Sequence, residues 1–432
     1  MTYEDKVEKI VAFIKSGEKD EQDFKVGFEV EHFVVDKNSL ETVRYEGENG
    51  IRESLEELKG LCYEGIYEGE YIMGLHKDGA SISIEPASQF EISLDSQNSI
   101  DKLFETYKKT MAEIIPVFDK KGQLLVEVGY QVKDKIADIP RIPKERYKFM
   151  YEYFEKYAGP MAHNMMKGSA SLQVAIDYSD EDDFRKKYFL ANALSPFFYS
   201  IFDNAYIFEG EVYENHNIRQ SIWENCDKDR TGIYPFSFDN DLSYEKYAKK
   251  ILATPAIFIK KDGKDIATNE KTFEEIFDQD LSDEMVFHAL SIVFPDVRVK
   301  KYIEIRMPDN MPFPYNFAAV SLIKNIFYDK EVLDYAYNLL AGFTYQKAQD
   351  LKKITVLRGI QAMYEDKKIY EWMLEIIGQI KEDIKYIDPL KDLLEEQKTP
   401  RDIYEELYKE SPQRAVYEFS VNKFVKDNNG EN

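Results

Sequence analysis

Cysteine is nearly missing from this chain. Two occur in 432 residues, Cys62 and Cys226. That excludes a disulfide framework or a cysteine-rich zinc site and fits a reducing compartment. Both are expected to be inert thiols rather than nucleophiles. Histidine is sparse as well, with five scattered residues and no His-Glu-x-x-His pair to hold zinc. Basic residues are in deficit, 57 Lys and Arg against 81 Asp and Glu, a net charge of −24. This argues against nonspecific binding to DNA, RNA or an anionic membrane, all of which need basic surface. It leaves nucleotides open, because a divalent cation can bridge acidic side chains and phosphates. Long apolar runs are lacking, and no stretch approaches the roughly 20 residues of a membrane span. The opening "MTYEDKVEKIVAFIKSGEKD" reads as a charged amphipathic helix without the apolar core of a signal peptide. A soluble cytoplasmic protein is expected. Glycine signatures are absent too: no Gly-x-x-x-x-Gly-Lys-Ser/Thr, no Gly-x-Gly-x-x-Gly after a strand, no Gly-x-Ser-x-Gly. P-loop, dinucleotide-fold and nucleophile-elbow chemistries are thereby set aside.

What is present is material for a large interior. The chain is 44% hydrophobic and carries 31 Tyr and 28 Phe, a globular composition. Periodicity predicts helices over 4–16, 50–59 and 99–122, and another following "PRIPKERYKF". Strands are predicted over 25–35, within 61–94, at "QLLVEVGYQV", over 169–179 and over 296–307. Residues 180–202 read as a helix interrupted at Pro196, and 254–267 as a hairpin with an Asp-Gly turn. Residues 205–240 read as a long irregular segment, a feature that is usually functional in a compact enzyme. From about Asn316 the chain is nearly all helix, and the charged tail 427–432 is expected to fray. There is no internal repeat or low-complexity linker. Strands without regular βαβ alternation predict an α+β fold with an antiparallel sheet. We expect one catalytic domain over 1–432, sheet-rich across 20–310 and helical across 316–426.

Side chains alternate across a strand, so parity assigns each to a face. In 25–35, Glu29 and Glu31 oppose Val26, Phe28 and Val30. In 81–94, Ser81, Ser83 and Glu85, then Gln89, Glu91 and Ser93, oppose Ile82, Ile84, Phe90, Ile92 and Leu94. In 169–177, Ser171, Gln173 and Asp177 oppose Leu172, Val174 and Ile176. In 299–307, Tyr302, Glu304 and Arg306 oppose Ile303, Ile305 and Met307. One such strand alone reads better as half-exposed sheet with glutamates in water. Four together predict a concave wall holding Glu29, Glu31, Glu85, Glu91 and Glu304, with Gln173 and Arg306. Clustered carboxylates repel unless cations join them, and oxygen ligands select Mg²⁺, Mn²⁺ or Ca²⁺ over zinc. Such a wall with Arg beside it suits nucleotide phosphates. His32 falls on the apolar face and is expected to be structural.

The stretch "HNIRQSIWENCDKDRTGIYP" (216–235) concentrates Arg219, Lys228 and Arg230 around Trp223 in an acidic chain. Arg suits carboxylate or phosphate recognition; a surface loop of solvated ion pairs is the alternative. Here the residues resemble a family. "GFEVEHF", "SISIEPASQFEIS", "RYKFMYEYF", "ASLQVAIDYSDEDDFRKKYFLANALSPF", "SIWENCDKDRTGIYPFSFD", "FPDVRVKKYIEIRMPD" and "TPRDIYEELY" are similar to plant-type glutamate–cysteine ligases, across about residues 20–425. The resemblance implies a glutamine-synthetase-like fold, a cupped and mainly antiparallel sheet with helices on its convex face. It implies ATP-dependent joining of glutamate to cysteine through γ-glutamyl phosphate, with Mg²⁺ (Mn²⁺ as a substitute). By the same resemblance Glu29, Glu31, Glu85, Glu91 and Glu304 would hold the metal. Arg306 would touch phosphates, Arg219 would clamp the glutamate α-carboxylate, and Lys228 and Arg230 would steady nucleotide or acyl-phosphate. Gln173 would sit on the cleft floor, and Tyr234 in the cysteine pocket. Glutamate and cysteine are the expected partners of a monomer or homodimer. The chain departs from the family's Gly-Gly at Ala87–Ser88 and from its Arg at Lys167, and it reads Trp-Glu-Asn-Cys-Asp where relatives often read Trp-Thr-Asp-Thr-Asp. Cys62 and Cys226 do not match the plant enzymes' regulatory disulfide cysteines, so no such redox switch is expected. A different amine acceptor, or a non-catalytic nucleotide or amino-acid sensor, are the alternative functions.

Overall fold

The computed structural model describes residues 1–261, 264–277 and 281–428. Nine strands build the main sheet: β1 (Val26–Asp36), β2 (Glu64–Glu68), β3 (Tyr71–Lys77), β4 (Ala80–Ile84), β5 (Phe90–Gln97), β6 (Gln123–Val126), β7 (Leu172–Ile176), β8 (Val297–Val299) and β9 (Ile303–Ile305). Their order is β8-β9-β7-β1-β5-β4-β3-β2, with β6 paired to the far end of β1. Every pairing is antiparallel. The expected mixed helix-and-sheet fold with a mainly antiparallel sheet is therefore present.

The period-2 pattern decides which side is covered. Val26, Phe28, Val30, Ile82, Ile84, Ile92, Val174, Ile303 and Ile305 are buried in one apolar cluster. Helices α1 (Tyr3–Lys15), α2 (Ile100–Asp119), α3 (Glu145–Tyr157), α4 (Ile218–Glu224), α5 (Tyr315–Tyr328) and α6 (Tyr345–Arg358) matter most here. Of these, α2 packs on β5 and α5 on β7. Phe28 meets Tyr107 edge-on at 5.8 Å and Phe317 at 5.5 Å, and Phe90 meets Phe118 edge-on at 5.3 Å. Each such ring contributes about 1.5–3 kcal/mol by leaving water. Phe317 lies in the helical C-terminal part, so the sheet's apolar face is closed by residues distant in sequence. His32 is fully buried on this side, its Nδ1 3.1 Å from the Phe90 carbonyl oxygen, as parity required.

Several elements differ from expectation. The strand predicted over 296–307 breaks into β8 and β9, which fold back on each other so that Arg298 lies opposite Glu304. The strand predicted at "QLLVEVGYQV" ends at Val126, beyond which the chain stays buried without a ladder. The irregular segment 205–240 contains α4, whose short apolar stripe Ile218 and Ile222 is buried. The hairpin pairs Pro255–Lys261 with Lys264–Thr272; its expected Asp-Gly turn lies outside the described residues, as does the charged tail from residue 429. Among the described residues, no helix is long and apolar enough to cross a membrane.

Candidate active site

The uncovered sheet face carries the acids in register. Across one row, Ser83, Glu91 and Glu31 are direct cross-strand neighbours, and Glu31 extends the row by accepting from the Ser171 amide at 2.6 Å and its hydroxyl at 3.0 Å. In the next row stand Ser81, Ser93, Glu29 and Gln173. A third joins Gly27, Ala175 and Glu304. Gly27 and Ala175 keep the floor low between Glu29 and Glu304: a Cβ on Gly27 would already stand 3.0 Å from the Ala175 methyl. Glu85 ends β4's side of the wall, its Oε2 accepting from Tyr147 Oη at 2.9 Å. Ser88 closes the turn behind it, its amide 2.9 Å from the Glu85 carbonyl oxygen. It does so at φ +70°, a left-handed backbone that favours glycine.

Two cavities open on this face. One is lined by Glu29, Gln173, Glu304, Tyr302, Lys19 and Asp177. The other is lined by Glu31, Glu85, Gln89, Arg219, Trp223 and Arg306. Arg306 and Gln173 join them, an Arg306 Nη1 donating to the Gln173 carbonyl oxygen.

For Glu29, Glu31 and Glu91, burial and mutual repulsion outweigh the counter-charge that reaches them. Burial raises Glu91 well above its ordinary range, and Glu85, Glu29 and Glu31 add repulsion. Burial also raises Glu31 to about 7, offset in part by Arg219. Glu29 is raised by burial and by Glu304. Glu304 is the exception. Burial would raise it, but Arg298, Lys300 and Arg306 outweigh that and hold it below its usual range. Its Oε2 accepts from Arg298 Nε at 2.5 Å and Arg306 Nη1 at 3.2 Å. Among the described residues its Oε1 accepts only from Lys300, at 3.4 Å. Among the described residues, no three His, Cys, Asp or Glu side chains form a protein-only metal cage. The set fits Mg²⁺ nonetheless, since Mg²⁺ takes one or two carboxylates and completes its octahedron with phosphate and water.

Of the predicted cations, Arg219 and Arg306 reach the cleft. Arg219 comes from α4, stacks on Trp223 at 5.4 Å, and donates from Nε and Nη2 to the Arg306 carbonyl oxygen at 3.1 and 3.0 Å. Arg230 does not reach it. Its guanidinium is fully buried and bonded to Asp227 Oδ2 at 2.6 Å, the Pro255 and Ile292 carbonyl oxygens and Tyr153 Oη, so its donors are spent inside the protein. Tyr234 is likewise core, against Phe236 and Tyr247. Lys228 is exposed and lines neither cavity. Lys167 sits in a buried turn of helix, Ala162–Gly168, behind the cleft's Met165 and Met166. Sequence reasoning missed Arg298, which β8–β9 register places opposite Glu304, and Tyr147, which lies in "RYKFMYEYF" but carries no charge to draw notice.

Comparison with known proteins places this geometry. The model of glutamate-cysteine ligase family 2 matches residues 25–407. The chloroplastic glutamate–cysteine ligase of Arabidopsis thaliana is 30% identical over 371 residues, covering 83% of this chain and 70% of that one. The Brassica juncea enzyme is 29% identical over 368 residues, covering 83% and 71%. Among solved structures, the glutamate–cysteine ligase of Francisella tularensis in complex with AMP superposes with a TM-score of 0.54 at 13% identity, covering 93% of this chain and 89% of that one, a likeness of fold. On the family match, which spans the wall, the Arg219 helix and the β8–β9 hairpin, this chain belongs to glutamate-cysteine ligase family 2.

Proposed function

We propose that this protein joins the γ-carboxylate of L-glutamate to the amine of L-cysteine, using ATP and passing through γ-glutamyl phosphate. As a member of its family the chain is a ligase. The observation that carries the reading is the wall itself: four glutamates raised or packed together on one sheet face, bracketed by Arg219 and Arg306. Glutamate is held by its α-carboxylate on Arg219, whose planar fork suits a carboxylate. Its γ-carboxylate oxygen attacks the terminal phosphorus of ATP, and ADP leaves. The cysteine amine then attacks the acyl carbon, the carbon–oxygen bond to phosphate breaks, and the amine gives up a proton. Arg306 and Gln173 steady the transferring phosphoryl group between the cavities. Glu29, Glu31, Glu85, Glu91 and Glu304 would hold Mg²⁺, or Mn²⁺ in its place, and the ion would supply charge neutralisation for phosphoryl transfer. Little covalent chemistry falls to the protein; positioning and electrostatics do the work. Two free cysteines fit a cytoplasmic setting.

Ala87–Ser88, beside Glu85, favours a second reading in which the same acyl phosphate meets another amine. Incubating enzyme, Mg-ATP and glutamate with single amines separates the two. ADP release is expected to rise with cysteine above alanine, 2-aminobutyrate and polyamines. Equal rates with all amines would reject cysteine as the acceptor, and nucleotide binding without any amine-dependent turnover would identify a sensor.

A further inference from the structure

Two cations, Lys144 and Arg146, stand at the Glu85 end of the wall, with Glu85, Glu68 and Glu91 as the nearby acids. Lys144 is 8% exposed, and among the described residues its ammonium has no hydrogen-bond or ion-pair partner; it lies over the Tyr147 ring at 5.1 Å. Arg146 lies over the same ring at 4.7 Å. Its Nη2 donates to Tyr147 Oη at 2.7 Å and stands 3.7 Å from a Glu85 oxygen, while its Nε is buried without a partner. Burial and then Arg146 lower the Lys144 ammonium to about 8, against the pull of Glu85, Glu68 and Glu91. Two like charges held on one ring repel, and an anion between them would relieve the repulsion. The same point receives the amino end of α3. No side chain caps this 13-residue helix, and its Glu145 amide has only a long 3.4 Å contact to the exposed Glu68 carboxylate. An uncapped helix start offers amides and a positive dipole to an anion.

We propose that Lys144, Arg146 and the amino end of α3 form a phosphate subsite that holds the phosphate chain of ATP at the Glu85 end of the wall, a role that rests on the ligase reading above. A point-charge ammonium, a partly exposed guanidinium and backbone amides gathered at one helix start suit a tetrahedral phosphate. A planar carboxylate is better served by the Arg219 fork across the cleft. The subsite also answers a shortage. Of the cations expected on the nucleotide, Arg230 is spent on Asp227 and Lys228 lies outside both cavities; Arg306 remains, and it shares Glu304 with Arg298 and Lys300.

The test is calorimetric titration of the full chain with Mg-ADP and, separately, with inorganic tripolyphosphate, alongside steady-state kinetics. Lys144→Met and Arg146→Gln are each expected to weaken both ligands by about tenfold or more, equivalent to about 1.4 kcal/mol. The glutamate KM should stay within about threefold, and Lys144→Arg should restore most of the affinity. Binding of both ligands by both variants within about twofold of wild type overturns the subsite. So does a large rise in glutamate KM at unchanged nucleotide affinity, which would assign the cations to the amino acid. If Lys144→Met fails to fold by its melting temperature, Arg146→Gln carries the decision. A wild-type protein that binds tripolyphosphate through these residues, yet joins no amine to glutamate, would overturn the ligase reading and leave the subsite standing.

Discussion

Arg219 and Arg230 lie on one stretch of chain and have the same side chain, yet their environments give them opposite work. Arg219 faces the cleft with Glu31 and Trp223; Arg230 is locked to Asp227. Arg219→Ala is therefore expected to raise the glutamate KM by about tenfold or more with a smaller effect on kcat, the pattern for lost binding rather than lost chemistry. Arg230→Met should instead cost about 3–5 kcal/mol of stability, because Asp227 is left buried and unpaired. Denaturant melts check this; a stable variant with a raised ATP KM would return Arg230 to the site. The wall gives a second contrast. Glu85→Gln should keep the fold and lower kcat by about 10²-fold, the scale for losing one preorganised electrostatic element. Burial and acidic neighbours raise Glu91 and so disfavour its charged form; Glu91→Gln should therefore leave the metal-free melting temperature unchanged or higher while abolishing the rise that Mg-ATP produces. A lower melting temperature without metal would show that Glu91 is ionised there.

At the scale of elements, the site depends on pieces that meet from distant parts of the chain. α6 contributes Lys352, whose ammonium is 2.6 Å from Asp296 Oδ2. Asp296 also accepts from Ser195 Oγ at 2.5 Å and Tyr199 Oη at 2.9 Å. Its carbonyl oxygen accepts from the Arg306 amide at 3.1 Å, so the tie sets the end of β9 where Arg306 leaves the sheet. Lys352→Met is expected to cost about 3–5 kcal/mol, read as a lower urea midpoint at an unchanged slope. An unaltered midpoint would show that the helical part holds Arg306 in place without this pair. Long, strongly periodic elements were legible in the sequence: β1, α1, α2 and the covered face all follow from spacing alone. The two-residue shifts and breaks were not. β8 and β9 read as one strand because their residues alternate continuously; alternation does not mark the turn between them, which sets Arg298 opposite Glu304. α4 was missed because seven residues carry too little periodicity to register.

Over the whole molecule, buried acids set the pH response. Burial raises Glu127 to about 8, and burial with Asp203 raises Asp309 to about 8. In the unfolded chain both ionise near about 4. The native state thus keeps protons that the unfolded chain has released, so this contribution is whole below about pH 4 and lost as pH rises through about 8. His32, lowered to about 4 by burial, works in the other direction, but only below the unfolded histidine value of about 6.5. Between pH 6.5 and 8 the ligand-free protein should therefore lose stability, at up to about 1.4 kcal/mol per pH unit for each acid. Chemical denaturation across that range is the measurement, and Glu127→Gln should flatten the slope. A flat or rising curve for the wild type would mean that these acids are ionised in the fold.

The sequence by itself determined the two-faced sheet. Alternation is a local property, so apolar residues on one parity and acids on the other dictate a covered side and an open side before any strand is paired. It also set aside a disulfide framework, a cysteine-rich zinc site and a P-loop, since motif residues that are missing cannot be supplied by folding. Tertiary structure decided which charges meet. Parity could place Glu304 and Glu31 on the same face, but only strand order and register put Glu31 beside Glu91, with Arg219 as its partial counter-charge, and surrounded Glu304 with three cations. The same holds for Arg219, Arg230, Lys144 and Arg146. Whether a cation faces a ligand or a buried carboxylate depends on contacts made across hundreds of residues, and electrostatic energies fall off over a few ångströms of space rather than along the chain.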